Sequence, residues 1–238
     1  MQRVDLGYRT DGVYLTGVTF GRVRYPDASR AVGSIEDALA RLRANPAVRA
    51  AEATDLPPMT GGDQDITAIP VGVTPAAGQP PSIWYRSVSA RLFVLDANAI
   101  GCGTHIHRGR PKGCAARGII NEEAALKFWP GENPVGRVLA SGRDAKAPRI
   151  TIVGVLASAH HDGANQPFKT ELFLPFAQFP SRGVTLILQP SRDLASLTSA
   201  VRQTLHEVDP LLPVTPLEPL AARAGKCSRA PTSPCDTG

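Results

Sequence analysis

No stretch of this 238-residue chain approaches the ~18 to 20 consecutive apolar residues that span a bilayer, and no charged-then-apolar leader follows Met1. The sequence therefore predicts a soluble chain. Phosphate-binding signatures are missing too: there is no G-x-x-x-x-G-K-[ST] loop and no G-x-G-x-x-G turn between a strand and a helix, which argues against ATP or NAD binding. The G-x-S-x-G elbow of serine hydrolases is also absent. Cysteines number only four, Cys102, Cys114, Cys227 and Cys235, too sparse for a dense disulfide framework, and their spacing selects none of the three complete pairings.

What is present suits a folded chain of 42% hydrophobic and 20% charged residues, with 22 Pro and 22 Gly that predict many turns. The net charge of +5 raises nucleic acid as a partner, yet the basic residues are scattered. Their densest run, Arg108, Arg110, Lys112 and Arg117, carries no interleaved aromatics. It is expected to be a solvated loop, with no nucleic-acid partner.

Hydrophobic periodicity sets the organisation. Val13 to Phe20 alternates as a strand, and Asp27 to Asn45 places Val32, Ile35, Leu39 and Leu42 on one helical stripe opposite Arg30, Asp37, Arg41 and Arg43. Asn45-Pro46 ends that helix, and Val48 to Thr54 is the next strand. Near the other end, Val184 to Gln189 is a β-branched run, followed by a helix carrying Leu194, Leu197, Val201, Leu205 and Val208, then an extended return over Leu211 to Thr215. Two β-α-β units result, and such units can form a split layer whose paired helices cover one face of a mixed or antiparallel sheet. The fold class is α+β, with a porter-like sheet-helix layer from residues 1–56 and 181–225 and an inserted strand-rich subdomain over 57–180. Residues 226–238, rich in Ser, Thr and Pro, are expected to be a disordered tail.

Within the insertion, Gly118 to Gly136 predicts a strand, a helix capped by Asn121 with Glu122 and Glu123 in its first turn, and a stop at Pro130-Gly131. Adjacent helical carboxylates diverge, so the glutamate pair stabilises the helix dipole rather than forming an acid-base pair. Phe128 and Trp129 are assigned to the core in preference to a partner patch. Cys102, His105, His107 and Cys114 have zinc-ligand chemistry without a familiar paired spacing, and an incidental loop is the plainer account. Ser158, His160, His161 and Asp162 are hydrolase residue types, but a triad converges from separated segments, so a polar loop is expected. No catalytic, cofactor-binding or metal-binding residue is assigned, and no cofactor is expected.

GIINEEAALKFWPGENPVGRVL resembles the corner of the extracytoplasmic core domain of MacB/FtsX-like ABC-transporter permeases. RITIVGVLASAHHDG, ELFLPFAQFP and LASLTSAVRQTLHEVDPLLPV resemble further segments of that domain in the same order, as do VDLGYRTDGVYLTGVTF and ARLRANPAVRAAEATDLPP upstream. The resemblance spans about Val4 to Gly225 and departs from the family pattern over Gly101 to Arg117. It implies a non-catalytic domain outside the bacterial cytoplasmic membrane, between two permease helices, that couples a cytoplasmic ABC ATPase to export or mechanotransmission. An ATPase domain or subunit, a periplasmic adaptor and a second copy of the chain are the partners it implies. The alternatives are a freestanding ligand-binding domain using a cleft between two lobes and, more weakly, a metal-dependent hydrolase using the Cys/His loop.

Overall fold

Among the described residues, alternation and helical stripes organise an eleven-stranded sheet backed by helices. The computed structural model describes residues 10–58, 64–72, 81–89, 116–142, 147–160 and 167–227. In chain order the elements are β1 (Tyr14–Thr19), α1 (Ala28–Ala44), β2 (Val48–Thr54), β3 (Asp65–Thr67), β4 (Ile69–Pro70), β5 (Ser82–Val88) and β6 (Ala116–Asn121). They continue through α2 (Glu122–Phe128), β7 (Val138–Ala140), β8 (Arg149–Leu156), β9 (Glu171–Pro175), β10 (Gly183–Pro190), α3 (Leu194–Val208), β11 (Glu218–Pro219) and α4 (Leu220–Cys227). Strand order is β11-β1-β10-β2-β5-β9-β6-β8-β7-β4, with β3 paired to β5 off that path.

β10 lies antiparallel between β1 and β2, so those two strands run parallel and α1 crosses between them. This is the split arrangement predicted from the two β-α-β patterns. Asp27 accepts from the Ser29 N–H at the start of α1, and Asp193 does the same for Ser196 at the start of α3. The buried stripe of α1 contains Val32, Ile35, Leu39 and Leu42, as its spacing predicts. It packs with Leu197, Val201 and Leu205 of α3 over Val18, Ala51, Ala53, Leu186 and Leu188. Each fully buried aliphatic side chain contributes about 1.5–3 kcal/mol of transfer free energy, so this layer is a principal source of stability. Leu194 is the exception on its stripe, exposed at the first turn of α3.

One sequence expectation changes. Leu211 to Thr215 forms no regular strand; it meets β1 through a single bridge, Val18 to Val214, with Thr19 N bonding Pro213 O and Thr215 N bonding Gly17 O. Pro213 and Pro216 lack the N–H groups that a continuing ladder requires. The true edge strand is β11, two residues long, and α4 behind it places Leu220 against Val13, Leu15 and Ile187. α4 runs through Lys226 and Cys227, which the sequence reading placed in the tail. The remainder of that tail lies outside the described residues.

A second core sits farther along the sheet. Ile120, Ala124, Phe128, Trp129, Ile150, Ile152, Leu172 and Leu174 pack together where α2 crosses between the parallel strands β6 and β8. Phe176, just beyond β9, packs instead into the first core.

Candidate functional site

The corner is built as its residues predict. Asn121 has an extended backbone, and its Oδ1 accepts from Ala124 N at 3.0 Å, which starts α2 with Glu122 and Glu123 in the first turn. The same oxygen accepts from Glu171 N at 3.0 Å, while Nδ2 donates to Lys169 O at 2.7 Å. One buried amide therefore caps a helix and ties it to β9. α2 ends at Phe128 with Trp129 as its C-cap, and two residues on Gly131 has φ 75°, in the left-handed region that a Cβ disfavours, where the chain turns. Phe128 and Trp129 are buried, with ring centroids 5.9 Å apart. They belong to the core.

The residues with hydrolase chemistry do not converge where they are described. Ser158 accepts from Glu123 N at 3.3 Å and so supports the start of α2, while the His160 ring stacks on Phe168 with centroids 4.1 Å apart. His161 and Asp162 lie outside the described residues, as do Cys102, His105, His107 and Cys114. Among the described residues no group of three or more His, Cys, Asp or Glu is placed to hold a metal ion, and no helix is long and apolar enough to cross a membrane.

Polar side chains gather instead where the two cores meet. β2 and β5 share one register pair, Thr54 with Val88, flanked by backbone bonds from Asp55 N to Ser87 O and from Ser89 N to Ala53 O, and side chains reinforce it. Ala53 N donates to Ser89 Oγ at 3.1 Å, Ser89 Oγ bonds Glu52 Oε2, and Arg43 bridges Glu52 and the Ala51 carbonyl at 2.8 Å each. Asp55 Oδ1 accepts from Ser87 N at 2.8 Å; burial pushes its carboxyl above the usual range, against the opposing pull of the Ser87 hydrogen bonds. Arg86 and Glu171 form a buried pair, Nε at 3.0 Å and Nη2 at 2.8 Å from Oε1, and Arg86 Nη1 also donates to Leu56 O at 2.6 Å. Sequence patterning misses this seam because its members come from α1, β2 and the loop after it, β5 and the residue beyond it, and β9, segments far apart along the chain.

A cavity of about 360 Å³ opens beside α3, within the first core's helix layer rather than between the cores. Val201, Leu205, Leu212 and Leu217 give it an apolar lining, and Arg202 and His206 stand on the exposed side. Asp209 also borders it, but is committed: Oδ1 accepts from Leu211 N at 3.0 Å and pairs with Arg24 at 2.9 Å, and Oδ2 accepts from Tyr25 Oη at 2.9 Å. The Leu211 N–H, with Tyr25 and Arg24, holds this carboxyl below the usual range despite desolvation, and burial with the Asp209 hydrogen bond raises Tyr25.

No family model and no curated protein matches the sequence. Solved structures do match. The periplasmic region of MacB from Actinobacillus actinomycetemcomitans aligns with a TM-score of 0.52 at 7% identity, covering 94% of this chain and 95% of that one. A domain assigned to a permease protein from Porphyromonas gingivalis aligns with a TM-score of 0.50 at 16% identity, over 88% of this chain and 91% of the other. The extracellular domain of the noncanonic ABC-type transporter YknZ from Gram-positive bacteria covers 86% of this chain and 100% of its own, with a TM-score of 0.49 at 13% identity. In fold, this chain is similar to the periplasmic region of MacB and to the Porphyromonas gingivalis permease domain.

Proposed function

We propose that the chain is a non-catalytic extracytoplasmic domain of an ABC-type permease, which passes the motion of a cytoplasmic ATPase to an adaptor or a transported molecule. Residues 1–56 and 181–225 act as the porter-like unit, and 57–180 as the inserted one. The observation that carries this reading is the end-to-end likeness to the MacB periplasmic region, over nearly the full length of both chains. The sheet running unbroken from β11 to β4 supports it physically, because a hydrogen-bonded sheet stapled by Arg86 and Glu171 moves largely as one body.

The test is purification of the native gene product from its own bacterium in mild detergent. Co-purification with an ABC ATPase, and labelling of the domain by a membrane-impermeant reagent on cells with a permeabilised outer envelope, are the expected results. Recovery from the cytosol without an ATPase overturns the reading, as does hydrolysis of ATP or a simple ester by the purified chain at enzyme-like rates.

A further inference from the structure

We propose that the cavity beside α3 is a binding site for a small amphipathic carboxylate, with its apolar chain inside and its charged end at Arg202 and His206. The inference stands independently of the transport reading, since it rests on the chemistry of one helix face and the segment opposite. The volume of about 360 Å³ falls at the lower end of small-molecule pockets, which run about 300–1,000 Å³. The lining from Val201, Leu205, Leu212 and Leu217 favours a hydrocarbon chain.

The polar side of the cavity selects the sign of the ligand. Arg202 and His206 are four residues apart on α3, so their side chains emerge on one face. Neither makes an ion pair or side-chain hydrogen bond within the described residues. The neighbouring acids are already occupied. Glu207 accepts from Arg41 at 3.2 Å and from Gln203 at 3.0 Å, and Asp209 is held by Leu211 N, Arg24 and Tyr25. The mouth therefore presents a guanidinium and an imidazole, while the carboxylates beside them, Asp209 and Glu207, are engaged with other partners. Arg is well suited to a carboxylate through its paired N–H donors, and imidazole adds a further donor. Thr16 and Thr215 do not compete for the ligand's charge: Thr16 Oγ1 donates to Thr215 O at 2.6 Å, and Thr215 Oγ1 accepts from Gly17 N at 2.7 Å.

The experiment titrates the full chain with octanoate and, separately, with octanol, followed by calorimetry and by the NMR signals of the His206 ring. Octanoate is expected to bind and to shift the His206 signals, with octanol at least about tenfold weaker. Arg202→Ala weakens octanoate binding by at least about tenfold, as expected for the loss of a charge-assisted contact. Arg202→Glu abolishes it, and Arg137→Ala, in the second core's surface, leaves it unchanged. Arg202 is exposed, so each variant is checked for a native thermal transition before titration. Failure of octanoate to bind overturns the proposal. Equal binding of octanol, or full retention of octanoate binding in a folded Arg202→Ala chain, overturns it equally.

Discussion

At the scale of single residues, two positions carry more of the corner than their size suggests. Gly118 sits in β6 where an added Cβ would meet Leu172 Cδ1 at 2.7 Å, Ile150 Cγ2 at 3.0 Å and Leu174 Cδ2 at 3.2 Å. Its role is close packing, since its φ lies outside the left-handed region. Gly118→Ala should destabilise the chain by about 1–3 kcal/mol, the usual range for overpacking a filled core, measured by urea unfolding. An unchanged midpoint would show that the three side chains have room to yield. Asn121 was legible in the sequence as a helix cap. Its bonds to Glu171 and Lys169 were not, because they cross about fifty residues of chain.

Elements were legible in proportion to their period. α1 and α3 follow from spacing alone, since a long amphipathic stripe leaves few alternative folds for those residues. The two- and three-residue strands β3, β4, β7 and β11 could not be read, because strands that short have no measurable alternation and exist only through a partner's register. The proline-punctuated return over Leu211 to Thr215 shows the reverse error: β-branched and apolar residues suggested a strand where the missing N–H groups allow only a bridge. The end of α2 is a firmer case. Trp129 is 5% exposed, and Trp84, half-buried under the Lys169 ammonium at 3.8 Å, is the other indole. In a Trp84→Phe chain the remaining fluorescence should resist iodide quenching until the protein unfolds. Efficient quenching under native conditions would place Trp129 on a partner surface and reverse its assignment to the core.

For the whole molecule, the decisive place is the seam between the cores. Arg86→Ala removes the guanidinium from the buried Glu171 and should cost about 3–5 kcal/mol, whereas replacing both by leucine should recover most of that loss. Chemical unfolding of the single and double variants checks this; a double variant no better than the single one would show that the charges carry specificity the core cannot replace. Asp55 at the same seam gives stability a pH dependence. Because burial raises its native pKa, its contribution is fully present below the unfolded carboxyl value of ~3.9 and is lost as pH rises through the raised native value. The urea midpoint of Asp55→Asn, which keeps an acceptor for Ser87 N–H, should therefore gain on the native chain across that window. Parallel pH profiles for the two would refute the assignment. The candidate site was less legible than the fold for the same reason the seam was: Val201 and Arg202 are adjacent, but Leu212 and Leu217 reach the cavity only through tertiary packing.

The position of β10 also dictates how this chain can be made. β1 and β2 do not pair with each other; each needs β10, whose residues are synthesised only after the whole second core. On the ribosome, β1 and most of β2 precede their shared partner, and only the end of β2, at Thr54, can pair earlier, with Val88 of β5. A late strand thus completes an early pair, and a nascent chain stalled before Gly183 lacks the strand that joins β1 to β2.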